Sequence, residues 1–265
     1  LVYKDLRTSN IKVRYRKSRV DRTDTIVANT ENSPAVAEYN GRLYIFWRDR
    51  ASSVIKYQYY AGDGSRSLVY NLASKGVKTP GDFDAVAFNG YLYLVYVHGA
   101  NNFVTVSKCS GTCGSNSWHR FGRVYMKDLN LPFSSAAPGL GADVAVGLNG
   151  TDGVSNHMYV VYAVPSKEHQ IWISQVDTDD SVSHSTSIPT YYPSYKTKGT
   201  IGVAAVPSAF PSAGKYLLIT WSDFPKDILY KAMVQKFDDS DDSSTWITRS
   251  DNTFLVGFGG ARLKR

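Results

Sequence analysis

The sequence has little of several features that usually point to a function. Its 265 residues include only two cysteines and three glutamates, and no apolar run approaches the roughly 18 residues of a membrane helix. No G-x-S-x-G, H-E-x-x-H or P-loop motif is present, which argues against a serine hydrolase, a zinc protease or a nucleotide-binding protein. No stretch keeps a helical 3.6-residue hydrophobic period. We therefore expect an all-β protein without membrane insertion.

The sequence does contain a repeat of short strands. Small-apolar strands lead into Asn-Gly pairs at Asn40, Asn89 and Asn149, and such pairs between apolar runs predict type I′ hairpins. The strand after each turn ends near an aromatic residue, and this position recurs five times along the chain. Five repeats in 265 residues average about 53 residues each, the length of a four-stranded propeller blade. The recurring aromatics are Tyr3, Trp47, Tyr96, Tyr162 and Trp221.

These repeats predict a single all-β domain over residues 1–265, folded as a five-bladed β-propeller of four-stranded antiparallel blades. Residues 1–3 align with the second strand of a blade, so the first blade lacks its innermost strand. Residues 253–265 match such a strand, and we expect them to complete the first blade and close the ring. The predicted blades are 1–30 with 253–265, 34–72, 84–125, 143–188 and 201–248.

The two cysteines, Cys109 and Cys113, flank a glycine turn in the stretch K-C-S-G-T-C. We expect a small disulfide, which suits an oxidising compartment and hence a secreted or extracellular protein. Free thiols or a metal site remain open, although no second cysteine pair or histidine cluster is present to complete four metal ligands. The chain begins at Leu1 rather than Met, as a mature secreted protein or an excised domain does.

Residues 34–47 have the pattern P-A-V-A-x-x-N-G-x-L-Y-x-x-W, which resembles the blade repeats of propeller lectins and of sialidase-like propellers. Residues 239–246 resemble a degenerate Asp-box, a structural turn of sialidases, and residues 83–86 resemble a hemopexin repeat. Hemopexin domains have four blades, whereas five are expected here. Five-bladed propellers include tachylectin-type lectins and arabinanase-type hydrolases. The resemblance therefore implies a carbohydrate-binding protein or a glycoside hydrolase.

A lectin of this kind would bind glycans at the loops that follow the second strands. Aromatic rings stack on the apolar faces of sugars, while carboxylate, amide and arginine groups bond to sugar hydroxyls. The alternative is that the aspartates in these loops only cap β-turns. The predicted ligand-binding residues are Tyr3 and Asp5; Trp47, Arg48 and Asp49; Tyr96, His98 and Asn101; and Trp221 with Asp223.

A hydrolase would need two carboxylates near the centre of the ring, one of them a general acid. Asp84, Asp143 and Glu38 are the candidates on predicted innermost strands, although Glu38 aligns nearer the far end of its strand. Together with Asp82, the two aspartates could instead hold a structural cation such as calcium, because hard cations take several oxygen ligands. A third possibility is that they only bond to backbone N–H groups at strand starts. No other cofactor is expected.

The basic residues outnumber the acidic ones by seven. Lys12, Arg14 and Arg16 alternate with apolar residues, which puts three cations on one face of a strand and suggests a site for acidic glycans. The alternative is an ordinary solvated face. Nucleic acid is not the expected partner, because no recognised nucleic-acid module is present. A protein-interaction scaffold is the remaining hypothesis for a propeller that lacks a sugar site.

Overall fold

A computed structural model gives the arrangement of the strands. It describes residues 1–17, 19–98, 104–123, 144–149, 157–164, 170–176, 182–187, 201–207, 215–222, 229–234 and 246–247. Within these residues all regular secondary structure is β-strand, apart from one short 3-10 helix, Ala73–Lys75. No helix in this part of the chain is long and apolar enough to span a membrane.

Five antiparallel sheets follow one another along the chain, and each is built from consecutive strands. The first three sheets contain β1 (Val2–Lys4), β2 (Ile11–Lys17) and β3 (Val20–Ile26); β4 (Ala35–Tyr39), β5 (Arg42–Arg48), β6 (Ile55–Ala61) and β7 (Tyr70–Asn71); and β8 (Phe83–Phe88), β9 (Tyr91–Val97), β10 (Val104–Cys109) and β11 (His119–Arg123). The last two contain β12 (Val144–Asn149), β13 (His157–Val164), β14 (Gln170–Val176) and β15 (Val182–Ser187); and β16 (Gly202–Pro207), β17 (Lys215–Ser222), β18 (Leu229–Val234) and β19 (Trp246–Ile247).

The first strands of successive sheets pack side by side, β4 against β8, β8 against β12 and β12 against β16. Such an arrangement is typical of blades that radiate from a common centre. The expected all-β, antiparallel architecture is confirmed. Four sheets have four strands, whereas the first has three among the described residues. The predicted closing strand, residues 253–265, lies outside the described residues.

The recurring aromatics have equivalent positions in the pairing registers of the five sheets. All five recurring aromatics occupy the same rung of the ladder between the inner hairpin and the strand that follows it. The pairs are Tyr3 with Lys12, Trp47 with Lys56, Tyr96 with Thr105, Tyr162 with Trp172, and Trp221 with Tyr230.

Two of the predicted hairpin turns lie in the described residues, and both have the left-handed backbone of a type I′ turn. Asn40 and Gly41 have φ of 49° and 67°, and Asn89 and Gly90 have φ of 46° and 76°. A glycine tolerates this conformation without strain, and asparagine is among the residues that adopt it most readily. The Asn-Gly pairs therefore set the register of β4 with β5 and of β8 with β9.

Alternate residues of β5 face opposite neighbouring sheets. Phe46 packs toward the third sheet in a cluster with Trp118, whereas Trp47 packs toward the first sheet in a cluster with Ile11 and Val13. Both faces of the strand are thus covered, which explains why its sequence is an almost continuous apolar run. A side chain on the inner strands is exposed only where two neighbouring sheets leave a gap.

Candidate ligand site

The aspartates after the second strands cap turns. The Asp5 carboxylate accepts a hydrogen bond from the backbone N–H of Arg7 at 2.9 Å, which lowers the Asp5 pKa. Asp49 is partly buried, which would raise its pKa, but bonds from Ser52 and Lys56, at 3.1 and 3.0 Å, outweigh this effect and leave the pKa below its ordinary value. These contacts match the turn-capping alternative that the sequence left open.

The basic residue before each of these aspartates forms hydrogen bonds to loops that connect neighbouring sheets. The Arg48 guanidinium donates to the Pro80 carbonyl at 3.0 Å, to the Asn32 side chain at 3.2 Å and to the Glu31 carboxylate at 3.3 Å. Lys4, on the equivalent rung of the first sheet, donates to the backbone carbonyl of Glu31. The Arg48 guanidinium is therefore used in hydrogen bonds within the protein rather than presented to a ligand.

The recurring aromatics are buried where the structure describes their neighbours. Trp47 is 1% exposed and Tyr96 is 0% exposed, because each ring faces the preceding sheet. Neither ring presents a face to a sugar, which corrects that expectation. Tyr3 is 41% exposed. The His98 ring centre lies 6.4 Å from that of Tyr96. Asn101, Asp223 and the side chain of Trp221 lie outside the described part of the structure.

The candidate catalytic carboxylates are not brought together. Glu38 pairs with Leu43, whereas Asp84 pairs with Val95, the equivalent of Phe46. Glu38 is therefore three residues, or roughly 10 Å, farther along its strand than the level of Asp84. Asp84 is 2% exposed and its carboxylate accepts from the backbone N–H of Ala85 at 2.8 Å. A Glu38–Asp84 pair is therefore not assembled.

The proposed cation site is only partly described, because Asp143 lies outside the described residues. The Asp82 carboxylate accepts from the Asn32 side-chain amide at 2.6 Å. Among the residues that the structure describes, no three acidic, histidine or cysteine side chains gather in a way that could hold a metal ion.

A cavity that the sequence analysis did not predict lies between the first and second sheets, at the end where the β4–β5 turn is found. Its volume is about 400 Å³. The first sheet supplies one strand, β2, to its walls. The second sheet supplies three segments, which are β4, the β4–β5 turn with the start of β5, and the end of β6 with the residues after it. The lining residues are Val13, Tyr15, Arg16, Glu38, Gly41, Arg42, Leu43, Tyr60, Ala61, Gly62 and Gly64.

Two tyrosines from different sheets form aromatic walls of this cavity. The ring centres of Tyr15 and Tyr60 lie 6.3 Å apart with 57° between the ring planes. The Tyr15 hydroxyl donates to the Asp24 carboxylate at 3.5 Å. Burial raises the pKa of Tyr60, and Asp24 adds to this effect. The Tyr60 hydroxyl has no partner in good hydrogen-bond geometry, although Arg66 and Asp24 lie near enough to act on its pKa.

Glu38 is the acidic group of the cavity. Ala37 and Tyr39 pack toward the third sheet and Val36 toward the first, so alternation along β4 puts Glu38 on the first-sheet side. Glu38 is exposed, and no described residue forms a hydrogen bond or ion pair with its carboxylate. Its oxygens are therefore free to accept hydrogen bonds from a ligand.

The predicted basic face lies on the first sheet, turned away from the second. Eight cations and three aspartates in residues 1–26 give this segment a net charge of +5, out of +7 for the chain. Arg14 and Arg16 both pair with Asp21 at 3.3 Å, which neutralises part of this charge. Lys12 donates to the Thr25 hydroxyl at 2.7 Å. Arg16 belongs to the basic face and also lies at the rim of the cavity.

The predicted disulfide is present. Cys109 and Cys113 are bonded, with Cα atoms 5.8 Å apart, and both are buried. A bond between the two sulfurs rules out the metal and free-thiol alternatives for this pair in the structure.

The chain has a propeller-like fold, and solved structures share it. An arginine-to-alanine triple mutant of AofleA from Arthrobotrys oligospora is 11% identical, with a TM-score of 0.59; the match covers 85% of this chain but only 62% of AofleA. A mutant of the Aleuria aurantia lectin in complex with α-methyl-L-fucoside is 11% identical, with a TM-score of 0.54, and the match covers 88% of this chain and 72% of the lectin.

An endo-arabinase from Bacteroides thetaiotaomicron is also similar, at 10% identity and a TM-score of 0.45, over 83% of this chain and 79% of its own. No family model and no curated protein matches the sequence. The resemblance of the blade repeats to propeller lectins is confirmed at the level of the fold. At such low identities the likeness shows a shared fold and nothing more.

Proposed function

We propose that the protein binds carbohydrate, and that it does so in the cavity between the first and second sheets. The observation that carries this proposal is the pairing of two tyrosine rings with the unpartnered carboxylate of Glu38. Tyrosine offers an apolar ring for the C–H face of a sugar. An ionised carboxylate accepts hydrogen bonds only, and it can take two neighbouring sugar hydroxyls at once.

The size of the cavity and its lining support a small saccharide as the ligand. A volume of about 400 Å³ lies in the usual range for small-molecule sites. Gly41, Gly62 and Gly64 carry no side chains and leave the space open. A lectin with a similar fold was solved in complex with α-methyl-L-fucoside, which makes this fucoside a suitable first probe.

We further propose that the chain forms a closed five-bladed ring outside the cell. In support of closure, β1 pairs with β2 in the register of a second strand, and residues 253–265 have the sequence of the missing inner strand. The disulfide supports an oxidising, extracellular setting. The charge of the first sheet supports a preference for glycans with acidic groups close to the Arg16 rim.

A glycan array at low and at moderate salt, followed by calorimetric titration of the best sugar and of α-methyl-L-fucoside, tests the proposal. Glu38→Gln keeps the shape of the side chain and removes its charge, so affinity should fall roughly 10- to 100-fold. Glu31→Gln is the matched control, because Glu31 pairs with Arg48 and Arg50 away from the cavity.

Equal affinity in the Glu38→Gln variant and the wild-type chain would contradict a site in this cavity. Binding that disappears as salt rises and is unchanged by Glu38→Gln would assign the affinity to the basic face instead. Release of smaller sugars from an oligosaccharide would favour the glycoside hydrolase hypothesis, and binding of no glycan at either salt would favour a protein-interaction scaffold.

A further inference from the structure

We propose that the disulfide loop of the third sheet, residues 109–118, positions the wall of the ligand cavity and so sets the affinity of the site. This inference rests on the proposed carbohydrate-binding function. It concerns Thr112 above all, a residue that lies outside the cavity and acts through the β4–β5 turn.

The disulfide loop is bonded to the second sheet at several places. The Tyr57 hydroxyl donates to the Cys113 carbonyl at 2.9 Å and accepts from the Trp118 indole N–H at 3.2 Å. The Tyr39 hydroxyl accepts from the backbone N–H of Gly111 at 3.1 Å. Tyr57 and Trp118 are fully buried, so these bonds lie in the core between the two sheets.

Two further bonds run from the loop to the β4–β5 turn itself. The Asn40 side chain donates to the Gly111 carbonyl at 3.4 Å, and the Arg42 guanidinium donates to the Thr112 hydroxyl at 3.2 Å. Arg42 also lies over the Tyr59 ring, 4.8 Å from its centre. The guanidinium is thus held between a ring of its own sheet and a hydroxyl of the next sheet.

The same turn forms part of the cavity on its other side. Gly41 and Arg42 line the cavity, and Glu38 lies on the strand that leads into the turn. Alternation along β5 directs the Arg42 side chain to the third sheet, as it does for Tyr44. The loop therefore holds the turn from the third-sheet side, while the ligand contacts it from the first-sheet side.

The disulfide explains how so short a loop can maintain its hydrogen bonds to the second sheet. Gly111 has φ of 64°, a left-handed conformation, and it supplies both its N–H and its carbonyl to the second sheet. The bond between Cys109 and Cys113 spans this glycine and restricts the loop to few conformations. A loop freed of the bond would hold Asn40 and Arg42 less firmly, and the cavity wall would move.

Two variants of Thr112 test the proposal by calorimetric titration with α-methyl-L-fucoside and by the ¹⁵N amide signal of Gly41. Thr112→Val keeps the shape of the side chain and removes the acceptor for Arg42, so the affinity should fall about two- to tenfold. The Gly41 signal should shift without a ligand present. Thr112→Ser keeps the hydroxyl and should restore both the wild-type affinity and the wild-type Gly41 signal. If Thr112 acted only by packing its methyl group, Thr112→Ser would not restore them.

Unchanged affinity in Thr112→Val overturns the proposal when the wild-type chain binds the fucoside. If the wild-type chain does not bind it, the proposed function fails for this sugar, and the Gly41 signal decides alone. A shift of the Gly41 signal in Thr112→Val that Thr112→Ser reverses supports the proposal that the disulfide loop positions the β4–β5 turn. An unchanged Gly41 signal overturns it. The double variant Cys109→Ala, Cys113→Ala should weaken binding further than Thr112→Val, and equal affinity to wild type in a folded double variant also overturns the proposal.

Discussion

Tyr15 and Tyr60 belong to neighbouring sheets, yet their ring centres lie 6.3 Å apart across the walls of one cavity. Tyr15 comes from β2, and Tyr60 comes from the end of β6. The site therefore exists only because the two sheets pack together. Tyr60 is 7% exposed and packs in the same cluster as Trp47, whereas Tyr15 is only partly buried and is the more open of the two rings.

The Tyr15 ring should contribute directly to sugar binding. Tyr15→Leu keeps an apolar side chain but removes the flat ring, and we expect the affinity for the array-selected sugar to fall by about tenfold, a loss of about 1.4 kcal/mol. Tyr3→Leu is the matched control, since Tyr3 is an exposed tyrosine of the same sheet away from the cavity. Calorimetric titration measures both. A loss of affinity in the Tyr3 variant alone would contradict a site in the cavity and favour binding at the loops that follow the second strands.

Trp47 should matter for stability rather than for binding. The ring is 1% exposed and packs with Ile11 and Val13 between the first two sheets. Trp47→Ala should lower the free energy of unfolding by about 3–5 kcal/mol, because it leaves a large cavity in the core. Denaturant titration measures this change. A stable Trp47→Ala variant that has lost its sugar affinity would contradict the assigned role.

Asp49 should make the stability depend on pH in the acid range. Its folded pKa lies below the ordinary value of 3.8, so its stabilising effect is complete well above pH 3.8 and disappears as the pH falls through the folded pKa. Wild type should therefore exceed Asp49→Asn in stability at about pH 7, and the difference should shrink at about pH 3. Urea unfolding at both pH values tests this. A difference that grows in acid would contradict the lowered pKa.

Residues 253–265 should be needed for the fold if they close the ring. Their deletion would leave the inner edge of the first sheet unpaired and open to other chains. We expect a clearly lower melting temperature or aggregation, which thermal unfolding and light scattering measure. An unchanged melting temperature in the deletion variant would contradict ring closure.

The strands, their order and two hairpin turns were predictable because each depends on neighbouring residues. The two residues Asn40 and Gly41 are enough to predict their turn, and the Cys109–Cys113 disulfide spans a short loop. Alternation along β5 also predicts two faces, but it does not say that both are covered. Burial of Trp47 depends on the packing of the preceding sheet, which a single strand pattern does not reveal.

The cavity could not be read from any one segment. It combines β2 of one sheet with the β4–β5 turn and the end of β6 in the next, and these parts meet only after the sheets pack. The sequence held one signal in the glycines. Gly41 is accounted for by its turn, but Gly62 and Gly64 follow two tyrosines and leave room beside them. Glu38 was a candidate for catalysis, and the structure instead brings it to this cavity.

The most direct test of the central claim is a ¹H–¹⁵N NMR titration of the wild-type chain with the array-selected sugar, starting with α-methyl-L-fucoside. Glycine amides resonate in a separate region, so Gly41, Gly62 and Gly64 report on the cavity. Shifts that saturate together at these glycines are the predicted result. Shifts confined to the turns of Asp5 and Asp49, with the cavity glycines unmoved, would contradict the account.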